Sequence, residues 1–540
     1  MSKGKSRTLA IVLAMLLLLT ALPATAMAED KELTTITSVL LIDTNTQNRS
    51  LNAINETIQE NRWNDLIAET YGYKIEYSWI ASDQEEYDQK FNASLAAGNI
   101  PDIIRFDGAT GKVKLGQCVE ADLLAEMGPL IEEHQSDLLK SILEQGGDGP
   151  AISCSIDGKQ WALPVVDADI ERGGVLWLRT DWLEQTGKEP PKTIDELIEI
   201  MKAFQEIGGE GTVGMTLEKS PFGFNGNHKI SLFCYGYGAY PNMWIEKDGK
   251  LVYGQTQPEM KEALAKLNEM YNEGLLDTEF VVKDGTKANE TVAAGQTGVL
   301  YGAHWSSLSP LQDNVNNFPE AEWYPYDVPS KDGTPTIIGG ELATGTWFAA
   351  SKACPNPEIV VQLANLYCDK TFDPEKQEYA YYSNPGADAE GIWKLSPVFM
   401  MTPLKNIDTT RAIRPHLESG EPGELYGEQL TMWQYTLDGM NGDRLMWGWN
   451  RVFGIDGSCQ IQDGQLTRGE TTISKYFGPP TPSMNTFKSI IDSAYDEAVL
   501  KMITGEMPID QFDSAVEAWL SGGGQAITDE VNEWYAASQA

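Results

Sequence analysis

Two kinds of side chain stand out in this chain for the chemistry they offer, flat aromatic rings and carboxylates. It has 15 tryptophans, 21 tyrosines and 79 acidic residues. Rings offer platforms to flat apolar faces and carboxylates accept hydroxyl hydrogens, although most rings in a chain of this size serve core or lobe packing. Aromatic runs W-G-W-N-R at 447–451 and Y-G-Y at 235–237 put forward Trp447 and Tyr235. Trp79 ends a strand-like run, while Phe106 and Asp107 end the next one. Both places lie at the carboxyl edge, where open α/β sheets bind ligands. Asp107 suits either a hydroxyl pair or the cap of a helix.

Nucleophilic and metal chemistry find less to work with. There is no G-x-S-x-G and no H-E-x-x-H, and G-A-T-G-K at 108–112 lacks the spacing of a P-loop. Histidines occur only at 134, 228, 304 and 416. Cysteines stand singly at 118, 154, 234, 354, 368 and 459, with no C-x-x-C pair, so no zinc site is expected. Six cysteines allow about 15 pairings and the sequence favours none; buried free thiols are an equal reading. A glycoside hydrolase needs two carboxylates about 5 to 10 Å apart, which so acidic a chain supplies by chance. A secreted glycoside hydrolase is therefore kept as the second reading.

Lys3, Lys5 and Arg7 precede an apolar run from Leu9 to Leu22 and then small residues at Ala24, Ala26 and Ala28. This is the pattern of a secretory signal with cleavage after Ala26 or Ala28, and the run is too short to span a bilayer. The mature chain is expected to be exported. Its formal net charge of -39 becomes -42 when the three basic signal residues are removed. Such a surface repels nucleic acid and anionic lipid, and an uncharged ligand is the simplest expectation.

Holding the rings in place takes a rigid frame. Tyr87, Phe91 and Leu95 recur at four-residue spacing, Gly98 supplies a helix C-terminal cap, and Pro101 prevents continuation. Asp102 to Phe106 then reads as a buried parallel strand, followed by a loop from Phe106 to Thr110. Strand 36–42, helix 51–69 and strand 73–80 precede it, and the alternation predicts a doubly wound parallel sheet. A capping box joins Thr193 to Glu196 at the head of a helix that buries Leu197, Met201 and Phe204. Pro258 opens and Gly274 closes another helix, and three helices form the tail at 485–503, 509–520 and 527–535. Two α/β lobes joined by short crossings fit this order.

The wording of several segments is similar to a known family. Y-D-Q-K-F-N-A-S-L-A-A-G-N-I-P-D-I-I at 87–104 resembles the signature of the extracellular solute-binding proteins of family 1, the carbohydrate-binding subunits of bacterial ABC importers. D-G-K-Q-W-A-L-P at 157–164, G-V-L-W-L-R-T-D-W-L from Gly174, A-A-G-Q-T-G-V-L-Y-G-A-H-W from Ala293, and the closing I-T-G-E-M-P-I-D-Q-F-D follow in family order. Length and wording are most similar to the LipO-like subgroup of oligosaccharide binders.

The resemblance implies a two-lobed periplasmic-binding-protein-like (type II) α/β fold with an interlobe cleft and a helical C-terminal extension. Lobe I would be 29–172 with about 342–395, and lobe II 173–341 with about 396–540, after a signal peptide at 1–28. It implies a monomeric, non-enzymatic receptor that closes on an oligosaccharide and delivers it to permease subunits, without a cofactor. By the same likeness Trp305 faces the cleft, Trp177 and Arg179 lie on a strand crossing between lobes, and Trp347 follows the second crossing. Arg179 would fork onto hydroxyls or a uronate, or pair with a local carboxylate. Relatives often hold calcium in a D-x-D-x-N-G loop, but the matching place here reads E-I-G-G-E-G-T-V-G-M, so no metal is expected. Nor does a lipid-modified cysteine follow the signal, the first cysteine being Cys118.

Overall fold

The computed structural model describes residues 33–538 apart from 45, 167–172, 224–225, 341–343, 387–388 and 390. The signal sequence and its cleavage site lie outside the described residues. The two largest apolar cores among the described residues divide the molecule. One joins residues between Ile36 and Val165 to residues between Phe348 and Met400. The other runs from Leu176 to Ile338 and takes in Met484 to Val531 at the far end of the chain. The chain thus forms two lobes, with the helical C-terminal extension on the second.

Lobe I has a parallel pair, Thr34–Leu41 with Tyr73–Ala81. Beside it Ile103–Asp107 pairs with Thr346–Ala350, which pairs in turn with Leu163–Val165. Both pairings are antiparallel, which corrects the expectation of a parallel strand in a doubly wound sheet. The partner strand returns from the other lobe, so it enters the sheet from the opposite end. Helix 51–69 is likewise two helices, Leu51–Ile54 and Arg62–Tyr71. Asn55 closes the first in the left-handed region, and the Asn61 side chain opens the second by accepting from the backbone N–H groups of Trp63 and Asn64.

Lobe II is built on Gly174–Arg179, flanked antiparallel by Val299–Ala303 and Trp323–Tyr326. The Thr193–Glu196 capping box forms as the sequence predicts and starts the helix Ile194–Gly208. All six cysteines are buried and unbridged. None of the helices among the described residues is long and apolar enough to cross a membrane.

Candidate functional site

Asp248 and Gly249 both take positive φ, which gives the mirror-image turn that matches strand twist and closes the hairpin Trp244–Lys247 with Lys250–Tyr253. That register sets Trp244 directly opposite Tyr253, with ring centroids 5.0 Å apart. Tyr476 meets Trp244 edge-on at 6.4 Å. The three rings wall one side of a cavity of about 380 Å³. Lobe I closes the other side with Gly108, Lys112 and Val113 from the start of helix Gly108–Glu120, and with Trp347. The cavity therefore lies between the lobes, where hinged binding folds hold their guests.

Its polar end is one helix face. Lys488, Asp492 and Asp496 follow at four-residue spacing, and all three line the cavity. Lys488 donates to the Tyr253 hydroxyl at 3.0 Å and pairs with Asp492, which also accepts from Trp519 Nε1 at 2.8 Å. Asp496 has no hydrogen bond or ion pair among the described residues. Burial first, and then the charge of Asp492, push its carboxyl up to about 7. Lys112 donates to the Phe477 carbonyl at 3.1 Å, a contact from lobe I onto the segment that leads into the C-terminal helices.

Of the residues put forward from sequence, Trp347 lines this cavity, with its ring nitrogen donating to Ser153 Oγ at 2.9 Å. The others lie elsewhere. Trp177 is fully buried, donating to the Ala303 carbonyl, because its strand is central and covered on both faces. Arg179 is buried too, bonded to Asp181 at 3.1 and 2.6 Å and lying over the Trp182 ring, so the local ion pair is its role here. Phe106 packs edge-on against Phe91 in the lobe I core. Tyr235 stacks on Tyr240, and Trp447 packs in lobe II with its ring nitrogen on Glu322.

Three remain partly exposed without lining the cavity. Asp107 accepts from Thr346 Oγ1 at 2.7 Å and from the Arg105 guanidinium. It occupies the cap position of helix Gly108–Glu120 without a side-chain cap bond, and that helix replaces the loop expected after Phe106. Trp79 lies edge-on to Tyr87 at 6.2 Å. Trp305 sits in the short turn His304–Ser307 that follows the strand Val299–Ala303.

The sequence profile of the bacterial extracellular solute-binding proteins matches residues 64–382. This chain belongs to that family. Lipoprotein LipO of Bacillus subtilis (strain 168) is 24% identical over 482 residues, 87% of each chain. The polygalacturonan/rhamnogalacturonan-binding protein YtcQ of the same organism is 22% identical over 475 residues, 85% of each chain. Among solved structures, the Streptococcus pneumoniae ABC-transporter substrate binding protein FusA in complex with kestose superposes with a TM-score of 0.62 at 14% identity, covering 94% of this chain and 99% of its own.

In this solute-binding protein the cavity wall comes mostly from residues that motif reading passed over. The D-G at 248–249 between W-I-E-K and K-L-V-Y is a hairpin signal that places Trp244 against Tyr253. The K-x-x-x-D-x-x-x-D spacing from Lys488 marks one helix face, but carboxylates are so common in this chain that the pattern carries little weight alone. The loop after helix Ile194–Gly208 turns at Gly209 and Gly211, both at positive φ, and the Gln205 amide ties it to the Thr212 and Gly274 carbonyls. Among the described residues no group of three His, Cys, Asp or Glu is arranged to hold a metal ion.

Proposed function

We propose that this solute-binding protein is the receptor of an ABC importer, gripping an oligosaccharide between its lobes and passing it unaltered to a membrane permease. The observation that carries this reading is the cavity between the lobes, with aromatic rings on one wall and carboxylates at one end. Rings cover sugar faces and carboxylates take hydroxyl hydrogens. The likeness to the polygalacturonan/rhamnogalacturonan-binding protein YtcQ and to FusA in complex with kestose supports carbohydrate as the class. Closure about the hinge is stabilised by contacts that only the closed form makes, in proportion to the ligand's differential affinity for the two forms. The permease reads the rims of both lobes in that closed shape. The receptor works as an exported monomer and needs no cofactor.

Thermal unfolding of the mature chain against a glycan panel tests the proposal. One sugar class should raise the melting temperature in a concentration-dependent way, with no new reducing ends over hours. Steady release of reducing ends overturns the receptor reading.

A further inference from the structure

The cavity holds an asymmetry of charge that bears on which oligosaccharides it takes. Among the described residues lining it, the cations are Lys112 and Lys488. Lys488 is committed to Asp492 and the Tyr253 hydroxyl. Lys112 is committed to the Phe477 carbonyl and lies over the Tyr476 ring, 5.8 Å from its centroid. Lys229, which packs against Gly223 on the cavity wall and acts on Asp496 through its charge, is ion-paired with Glu218 and donates to the Ser220 carbonyl at 2.9 Å. Both cations that line the cavity, and Lys229 beside its wall, are thus engaged by the protein. The carboxylate of Asp496 is not.

A uronate recognised here through a forked or ammonium partner would have to break one of these pairs to obtain it. It would also meet Asp496, which no cation pairs directly among the described residues. A neutral sugar meets neither obstacle, because two adjacent hydroxyls can donate to the two oxygens of one carboxylate. We infer that the cavity selects uncharged oligosaccharides against uronates, with Asp496 as the residue that reads a hydroxyl pair of the guest. This rests on the receptor reading above, and it sets the protein apart from its polygalacturonan-binding relative rather than alongside it.

Ionised Asp496 is the better acceptor, so binding a neutral guest should release a proton over the range where the free carboxyl titrates. The other charged and titratable groups that interact with it are Asp492, Lys488 and Tyr495 on its own helix, Tyr253 on the hairpin, and Lys229, itself paired with Glu218. Of these, Asp492 and Glu218 are held by cations.

The test is a glycan array carrying neutral fructo-, malto- and xylo-oligosaccharides beside oligogalacturonates, probed with the full mature chain. Calorimetry on the tightest binder then compares wild type with Asp496→Asn at pH 5.5 and 8. Expected are neutral binders only, wild-type affinity rising about tenfold with pH, and an Asp496→Asn variant that binds at least tenfold more weakly at pH 8 with no pH dependence. Tight binding of oligogalacturonate by wild type overturns the inference and leaves the receptor standing, as does equal affinity of wild type and variant for a neutral glycan. No binding anywhere on the array overturns the carbohydrate reading itself. A melting temperature for Asp496→Asn at or above that of wild type shows that a weakened affinity is not a folding defect.

Discussion

Trp244 and Tyr253 face each other across a two-stranded hairpin, rings 5.0 Å apart, and Tyr253 in turn stacks on Trp519 at 5.0 Å. The platform nearest the guest is therefore the outer layer of a pile of rings rooted in the C-terminal helices. Trp244→Phe keeps most of the packing and shortens the platform. Calorimetry with the sugar found on the panel should show affinity reduced severalfold, of order 1 kcal/mol. Trp305→Ala, outside the cavity, should leave affinity within about twofold of wild type. The reverse order would move the site to Trp305.

Asp496 should leave a mark on stability even without ligand. Its folded-state carboxyl stands near 7 against an ordinary 3.8, so between those values the folded chain holds a proton that the unfolded chain has lost. Stability should fall as pH rises through that window. Asp496→Asn should match wild type at pH 4 and exceed it by a few kcal/mol at pH 8, measured by urea unfolding at each pH. Parallel pH profiles for the two proteins would refute the account.

Trp177 is a structural test of the opposite kind. It is wholly buried, so Trp177→Ala should cost about 3 to 5 kcal/mol in chemical unfolding. Affinity per folded molecule should stay near that of wild type.

The six thiols make a fourth prediction. Burial pushes Cys118 and Cys154 up to about 12 and Cys354 to about 11, so little thiolate exists at neutral pH. Thiol titration should count almost none in the native protein and six after denaturation without reductant. A lower count after denaturation would reveal a bridge. Reductant alone should leave the melting temperature unchanged.

Local signals in the sequence were reliable because they depend on few neighbours. The Thr193–Glu196 box forms as written, since a cap needs only its own backbone, and the helix expected through Tyr87 and Phe91 forms as Gln84–Ala96. Gly98 takes positive φ as expected, one residue beyond the C-terminal cap position at Ala97. The direction of Ile103–Asp107 was illegible, because its partner Thr346–Ala350 lies some 240 residues away and approaches from the second lobe. The burial of Trp177 is illegible in the sequence for a related reason. Alternation along a strand tells which residues share a face, but not that Val292, Leu311 and Val315 from two helices already cover that face. The aromatic wall was half legible, since the Asp248–Gly249 turn sets Trp244 against Tyr253, while Tyr476 and Trp347 arrive from distant segments that only the folded chain joins.

The rings behind the cavity wall have a use of their own. Trp519 stands against Tyr253, and Trp534 is wedged at 4.9 Å against both Tyr476 and Phe477. Neither indole lines the cavity, yet each leans on a ring that does. A guest that shifts Tyr253 or Tyr476 alters the surroundings of an indole without touching it. Intrinsic fluorescence thus makes the protein a reagentless sensor of its own occupancy, read from light that the sugar neither absorbs nor quenches.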